Sequence, residues 1–393
     1  MLHNTFCRRL AALVLTLAVA LSAALPGFAA YPMPVQTATE TESVYLFNAD
    51  TGKTILSQNA DQQKYVASLT KLMTALLLVE SGKDLNGEVT VPTDLTQEFK
   101  DIQNANGTTM GLRIGETVRR IDLLNAMLII SANDAASVIA WDVGGSVVGF
   151  VQQMNARAAE LGMTNTTFRN ACGLDTEGHL STARDVAVLS RYLLNTCPEL
   201  LHYTGIWTDS LRNGQTQLVN TNKLLRRYSG ITGLKTGTTN GAGVCISASA
   251  TRDGLTLIAV VLGSPSSADR FHSATTLLDY GFANYAAAPL PTLPERPLAL
   301  AVKGSAEDSV PLDYAALPET ILIEKGTASA LRAELTLPEA LEAPVEKGRT
   351  VGKVSIFQDD TLLNEYEVKA AADAPLLTFG GALELLWQCL LGA

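Results

Sequence analysis

Ser68-Leu69-Thr70-Lys71 places a hydroxyl and an amine three residues apart at the head of the apolar run YVASLTKLMTALLLVE, Tyr65 to Glu80. On a helix that spacing brings both side chains to one face, and a serine hydroxyl becomes a competent nucleophile when a neighbouring base takes its proton. The amine is such a base only when neutral. Two influences favour that state: the partial positive charge of a helix N-terminus and burial against Leu72 and Met73 both oppose an ammonium. The same residues also have a structural use, with Ser68 as an N-cap and Lys71 snorkelling to solvent. An S-x-x-K match is expected about once by chance in a chain this long.

Two further clusters bear on that choice. Ser131-Ala132-Asn133 follows 63 residues after Ser68, at the junction of two expected helices. Asn133 offers an amide to a carbonyl and Ser131 a hydroxyl for proton relay; alone the pattern is weak, because Ser57-Gln58-Asn59 also matches it. Lys235-Thr236-Gly237 lies in GITGLKTGTTNGAGVCISA. There a cation and a hydroxyl suit a carboxylate, while the glycine lets a second backbone come close. Competing chemistries lack their signatures: no G-x-S-x-G elbow, HExxH helix, Walker loop or dinucleotide fingerprint occurs. A serine-histidine-aspartate site would have to use His179, His202 or His272 without its elbow.

The elements that must hold these residues are legible in outline. SVYLFNADTGKTILSQNAD predicts a hairpin turning at Asp50-Thr51-Gly52. Helical periodicity predicts helices over Ile121–Ile130, Asp134–Val143, Val147–Leu161 and Asp185–Leu194, with Asp122 and Asn133 as caps. Val244–Ala250 and Leu255–Gly263 read as strands around Arg252-Asp253-Gly254, and Ser267–Tyr285 as a helix. Strand, helices, strands, helix is the order of an α+β domain whose terminal segments share one sheet.

Composition sets the frame. At 393 residues, with 47% apolar and 17% charged residues, the chain supports a large core and more than one domain. Arg8 and Arg9 before LAALVLTLAVALSAALP, with Gly27 and Ala29 beyond, predict a cleaved signal peptide over residues 1–29 and hence export. That segment holds no acidic residue, so removing its two arginines takes the net charge from −10 to −12. An acidic body repels phosphate backbones and excludes nucleic acid as a partner. Of five cysteines, Cys7 falls in the signal, and Cys172, Cys197, Cys245 and Cys389 are too scattered for a metal motif and read as mostly free thiols. No metal or organic cofactor is expected.

AAAPLPTLPERP, Ala286 to Pro297, reads as a stiff linker, followed by short alternating runs of a small all-strand domain. The expected organisation is therefore a catalytic domain over 30–286, a linker over 287–297, a β-rich domain over 298–372 and a tail over 373–393. In the tail, Thr378, Gly381, Glu384 and Gln388 form one polar stripe among leucines, Phe379 and Trp387. That pattern predicts an amphipathic helix lying on a membrane surface.

The ordered set Ser68-x-x-Lys71, Ser131-x-Asn133, Lys235-Thr236-Gly237 resembles the signature of penicillin-binding proteins and class A β-lactamases. The flanks GLRIGETVRRIDLLNAMLIISANDAASVIA and MNARAAELGMTNTTFRNACGLDTEGHLSTARDVAVLSRYLL, with APVEKGRTVGKVSIF further on, resemble low-molecular-weight D-alanyl-D-alanine carboxypeptidases. The resemblance implies a β-lactamase/DD-peptidase-like domain: an antiparallel sheet flanked by helices, with an all-helical subdomain. It also implies removal of the terminal D-Ala from peptidoglycan stems through an acyl-enzyme, with β-lactams as covalent inhibitors. In that reading Ser68 is acylated, Lys71 is its base, Ser131 and Asn133 are relay and clamp, and Lys235 and Thr236 hold the substrate carboxylate. The oxyanion would lie between the N–H groups of Ser68 and Thr238. Val66 and Thr238 stand where many relatives carry proline and a histidine or aromatic residue. The alternatives are a β-lactamase, for which Glu177 is a conceivable water-activating carboxylate, and a catalytically silent wall-binding protein.

Overall fold

The alternating run SVYLFN forms β1 (Ser43–Asn48), which is buried along its length, and β2 (Thr54–Gln58) returns beside it. Their turn is closed by Asn48 Oδ1, which accepts from the Thr51 N–H at 2.7 Å, and by Gly52 at φ +72°. The structure, a computed structural model, describes residues 37–293, 295–326 and 331–391, the side chains of 385, 388, 389 and 391 excepted. The signal segment expected over 1–29 lies outside the described residues.

Two small hairpins, β3 (Glu88–Thr90) with β4 (Thr117–Arg119) and β5 (Thr208–Leu211) with β6 (Thr216–Val219), punctuate the helical middle of the chain. Then come β7 (Ile231–Thr239), β8 (Gly243–Arg252) and β9 (Leu255–Ser264), and the antiparallel sheet runs β2-β1-β9-β8-β7. The two ends of the domain meet as expected, β1 pairing with β9 from Ser43↔Leu262 to Asn48↔Leu257. In this order β7 is an edge strand. Its free side is met by the turn that carries Ser68.

The helices are α1 (Lys71–Glu80), α2 (Thr96–Asn104), α3 (Arg120–Ile129), α4 (Asn133–Gly144), α5 (Val147–Glu160), α6 (Ala183–Thr196), α7 (Glu199–Thr204) and α8 (Ser267–Asn284). The four expected between residues 121 and 194 are present within a few residues. α2 escapes a periodicity reading because Ile102 is its one buried residue. The expected caps Asp122 and Asn133 are instead the third residue of α3 and the first of α4, and neither helix start has a side-chain cap. Ser146, Thr182 and Ser266 do cap α5, α6 and α8.

Leu72, Met73 and Leu76 of α1 are buried with Leu124, Met127 and Leu128 of α3, Val138 and Ile139 of α4 and Phe150 of α5. Burying Leu72, Met73, Leu76, Leu77 and Leu78 stabilises the fold by on the order of 10 kcal/mol. That exceeds the several kcal/mol needed to desolvate the lysine that opens the same helix.

Beyond α8 lie β10 (Tyr285–Pro289), β11 (Ala299–Lys303), β12 (Ser309–Asp313), β13 (Thr320–Glu324), β14 (Leu331–Thr336), β15 (Leu341–Glu342), β16 (Thr350–Gln358) and β17 (Thr361–Ala370). A six-stranded sheet runs β14-β16-β17-β12-β11-β15 around its own core of Val310, Val354, Ile356 and Val368. The linker reading needs correction at its start. Residues 285–289 pair with β13 from Tyr285↔Glu324 to Pro289↔Thr320. A run of alanines carries no strand period, and proline is tolerated at the end of a strand paired on one side. Helix α9 (Phe379–Leu391) closes the described chain, with Phe379, Leu383, Leu386, Trp387 and Leu390 exposed.

Candidate active site

Ser68 does not sit on α1 itself. It lies on a 3-10 turn, Ala67–Thr70, that runs directly into α1, so Lys71 is the first α-helical residue. Ala67, immediately before Ser68, is held at φ 48°, a left-handed conformation that is strained for any residue with a Cβ. The turn is pinned by Thr70, whose Oγ1 is 2.8 Å from His179 Nε2. His179 Nδ1 accepts from the Arg169 N–H at 3.1 Å, so Nε2 carries the proton and donates to Thr70. Burial lowers the imidazole to about 4. His179 is therefore a neutral brace rather than a catalytic base.

Lys71 is 0% exposed. Its Nζ lies 2.9 Å from Ser68 Oγ, 2.6 Å from Asn133 Oδ1 and 2.5 Å from the Cys172 carbonyl oxygen. Burial lowers the amine to about 8, against smaller upward influences from Cys172 and Asp134. The three contacts decide how a neutral amine must orient. Its two N–H bonds go to the two oxygens that can only accept, and its lone pair is left for the Ser68 hydroxyl. Asp134, whose charge raises Lys71, spends its oxygens on the N–H groups of Met110 and Leu112, both at 3.0 Å.

Ser131 and Asn133 meet at the α3–α4 junction and both line the cleft. Ser131 is held at φ 68°, and its buried Oγ has no hydrogen-bond partner. Strain and an unsatisfied hydroxyl together single Ser131 out in the cleft that Ser68 also lines. Asn133 gives its oxygen to Lys71 and turns Nδ2 toward Gly107, where a Cβ would come within 2.5 Å of it.

The Lys235-Thr236-Gly237 triplet falls in the middle of β7, on the edge facing the Ser68 turn. At Gly237 a Cβ would lie 2.9 Å from both Ala67 Cβ and Ser68 N, so only glycine allows the strand this close to the Ser68 backbone. Thr236, Gly237 and Thr238 line the cleft, whereas Lys235 is 1% exposed and does not. Lys235 Nζ donates to the Thr236 carbonyl at 2.9 Å. Burial, then Lys71 and Arg270, hold its amine well below the ordinary lysine value. Thr236 Oγ1 is 2.6 Å from the Oγ1 of Thr221, which also lines the cleft.

The cleft has a volume of about 580 Å³. Three of its features have no counterpart in the sequence reading. Arg270, in the first turn of α8, lines the cleft and donates to the Gly237 carbonyl at 3.0 Å and to Thr238 Oγ1 at 3.3 Å. In a helix that also carries Asp269 and Asp279, Arg270 had no distinguishing signal. Asp175 accepts from Thr239 Oγ1 at 2.6 Å and from the Gly241 N–H at 2.8 Å, tying the loop after Cys172 to the β7–β8 turn. The Cys172 carbonyl has no side-chain signature at all. Glu177 is exposed and is not a cleft residue. Cys172, Cys197 and Cys245 are free and buried, as expected; the Cys389 side chain lies outside the described residues.

Comparison with known proteins gives matches over most of the chain. A family model described as D-alanyl-D-alanine carboxypeptidase matches residues 31–266, and one for the C-terminal domain of penicillin-binding protein 5 matches 298–375. The D-alanyl-D-alanine carboxypeptidase DacF of Bacillus subtilis is 33% identical over 351 residues, covering 88% of this chain and 89% of that protein. Penicillin-binding protein 5 of Haemophilus influenzae superposes with a TM-score of 0.75 at 28% identity, covering 87% of this chain and 99% of that one. The cefotaxime-bound form of penicillin-binding protein D2 of Listeria monocytogenes superposes with a TM-score of 0.52 at 33% identity, over 61% of this chain and 96% of that one.

Proposed function

Since the chain belongs to the D-alanyl-D-alanine carboxypeptidase family and is a serine-type, penicillin-binding DD-carboxypeptidase, we propose that its acyl-enzyme forms on Ser68 with Lys71 as the base. The observation that carries this assignment is the orientation of the Lys71 amine. With Asn133 Oδ1 and the Cys172 carbonyl taking its two hydrogens, its lone pair faces a hydroxyl 2.9 Å away.

The stem peptide lies along the free edge of β7, as an added strand would. Its terminal carboxylate rests on Thr236 and Thr238 beside the Arg270 guanidinium, and its negative charge opposes the influences that depress the Lys235 amine. Lys71 takes the Ser68 proton as Oγ attacks the penultimate D-Ala carbonyl, and the oxyanion is held by the Ser68 and Thr238 N–H groups. Asn133 Nδ2 donates to a stem carbonyl. Ser131 passes the proton to the amine of the departing D-Ala, a use that fits its unpartnered hydroxyl. Water then releases the shortened stem. A β-lactam enters by the same attack and stays as the acyl group.

This substrate lies outside the cytoplasmic membrane, which fits export. Among the described residues no single helix is long and apolar enough to cross a membrane. The exposed row Phe379, Leu383, Leu386, Trp387 and Leu390 of α9 suits attachment to the membrane surface, with the β domain as a spacer.

Incubation with a muropeptide pentapeptide, followed by mass spectrometry, tests the reaction: loss of one D-Ala is expected, and cleavage of crosslinked dimers alone would overturn it. Labelling by a fluorescent penicillin that persists in Ser68→Ala would overturn the nucleophile. Removal of residues 379–391 is expected to release the protein from anionic lipid vesicles without loss of penicillin labelling; retention on the vesicles would rule out the anchor.

A further inference from the structure

Two residues after Thr221, which lines the cleft, the chain lines a second, separate hollow. Thr221, paired with Thr236 and lining the cleft, is followed by a 3-10 turn over Lys223–Arg226. Asn222 and Leu224 are buried, which seats the turn on the protein body, and within the turn Asn222 Oδ1 accepts from the Leu224 N–H at 3.2 Å. The residues between and after them point outward. Lys223, Arg226 and Arg227 are exposed and, with Trp207, line a hollow of about 330 Å³. The Arg226 guanidinium stands 5.6 Å above the Trp207 ring.

None of these three cations pairs with a carboxylate among the described residues, although the chain has ten more acidic than basic side chains. Arg119, Arg120, Arg157, Arg184 and Arg212, by contrast, each have an acidic partner. In an acidic protein, unpaired cations gathered around an aromatic face form a local site for an anion.

Position says which anion. Thr236 and Thr238 receive the carboxylate of the residue that leaves, so Thr221 and the 3-10 turn beyond it flank the leaving-group end. Two residues of chain span at most about 7 Å, so the Lys223 backbone lies within that distance of the backbone of Thr221, which lines the cleft. We propose that Trp207, Lys223, Arg226 and Arg227 form an anionic subsite on the leaving-group side, taking a second carboxylate on a leaving residue larger than D-Ala. The subsite rests on the DD-carboxypeptidase reading and extends it to a class of substrate: stems whose departing amino acid is itself acidic.

The test compares diacetyl-L-Lys-D-Ala-X, with X as D-Ala, D-Glu or D-Gln; D-Glu and D-Gln match in shape and differ in charge. Wild-type protein is expected to cleave the D-Glu substrate with kcat/KM roughly fivefold above the D-Gln one at low salt, the gap closing near 1 M salt as screening shortens. Lys223→Gln/Arg226→Gln/Arg227→Gln is expected to bring the ratio to about one while D-Ala release, which certifies folding, is unchanged. Arg226→Glu alone should push the ratio below one. A ratio of one in the wild type, or a ratio unmoved by these variants, overturns the subsite. Failure of the wild type to release D-Ala from X = D-Ala removes instead the reading on which it rests.

Discussion

The assignment of Lys71 as base predicts a particular pH dependence of acylation. With the amine at about 8, its neutral fraction is about 1% at pH 6, about 9% at pH 7, half at pH 8 and about 90% at pH 9. The reactive form is the deprotonated one, so the rate climbs with pH. It should rise about tenfold from pH 6 to pH 7 and level off above pH 8 to 9. An ordinary lysine near 10.5 would be about 0.03% neutral at pH 7, so desolvation raises the competent population roughly 300-fold. The second-order rate constant of labelling by a fluorescent penicillin, measured from pH 6 to 10, reads this directly. Lys71→Arg keeps the charge but removes the base, and should lower the constant by at least about a hundredfold at every pH. A rate that is flat between pH 6 and 7.5, or that still climbs tenfold per unit beyond pH 10, refutes the reasoning. So does a Lys71→Arg protein that labels at the wild-type rate.

Gly237→Ala must open a 2.9 Å contact to about 3.4 Å, displacing β7 from Ser68 by about 0.5 Å; at roughly a hundredfold per ångström of misplacement, acylation should fall about tenfold, and an unchanged labelling rate would count against the close approach. His179 titrates near 4 when folded and near 6.5 when unfolded, so its contribution is intact above pH 6.5 and is lost as pH falls toward 4, by about 3 kcal/mol in all. His179→Gln should flatten that part of the urea-denaturation profile, and an identical pH slope in both proteins would exclude the buried neutral imidazole. Asp175→Ala frees the β7–β8 turn from two hydrogen bonds without touching a reacting atom. KM for the pentapeptide should rise about fivefold with kcat little changed, whereas a fall confined to kcat would contradict a role in shaping the rim.

Much of the site was legible because its chemistry resides in side-chain types at short spacings. Ser68 and Lys71 are three residues apart, and the order of the Ser131–Asn133 and Lys235–Gly237 clusters excluded most alternatives before any fold was known. The helices of the middle region were legible for a similar reason, since each buries one face and so repeats its apolar residues. α2 and β10 were not: a polar helix with one buried isoleucine and a strand of alanines carry no period. The caps of α3 and α4 were misjudged because a polar residue near a helix start says nothing of which residue is the first to turn.

The sequence by itself determined which groups are present: a hydroxyl and an amine three residues apart, an amide, a second hydroxyl and a lysine-bearing strand, on a chain with enough apolar residues to bury them. Only the tertiary structure decided what state they are in. The proposed role of Lys71 as a base rests on Cys172, 101 residues away, and Asn133, 62 residues away, whose oxygens take its hydrogens in a buried place. A backbone carbonyl has no residue type to betray it, and desolvation belongs to a place in the fold rather than to a residue. The same holds for Gly237, whose need to be glycine exists only where β7 meets the backbone of Ser68.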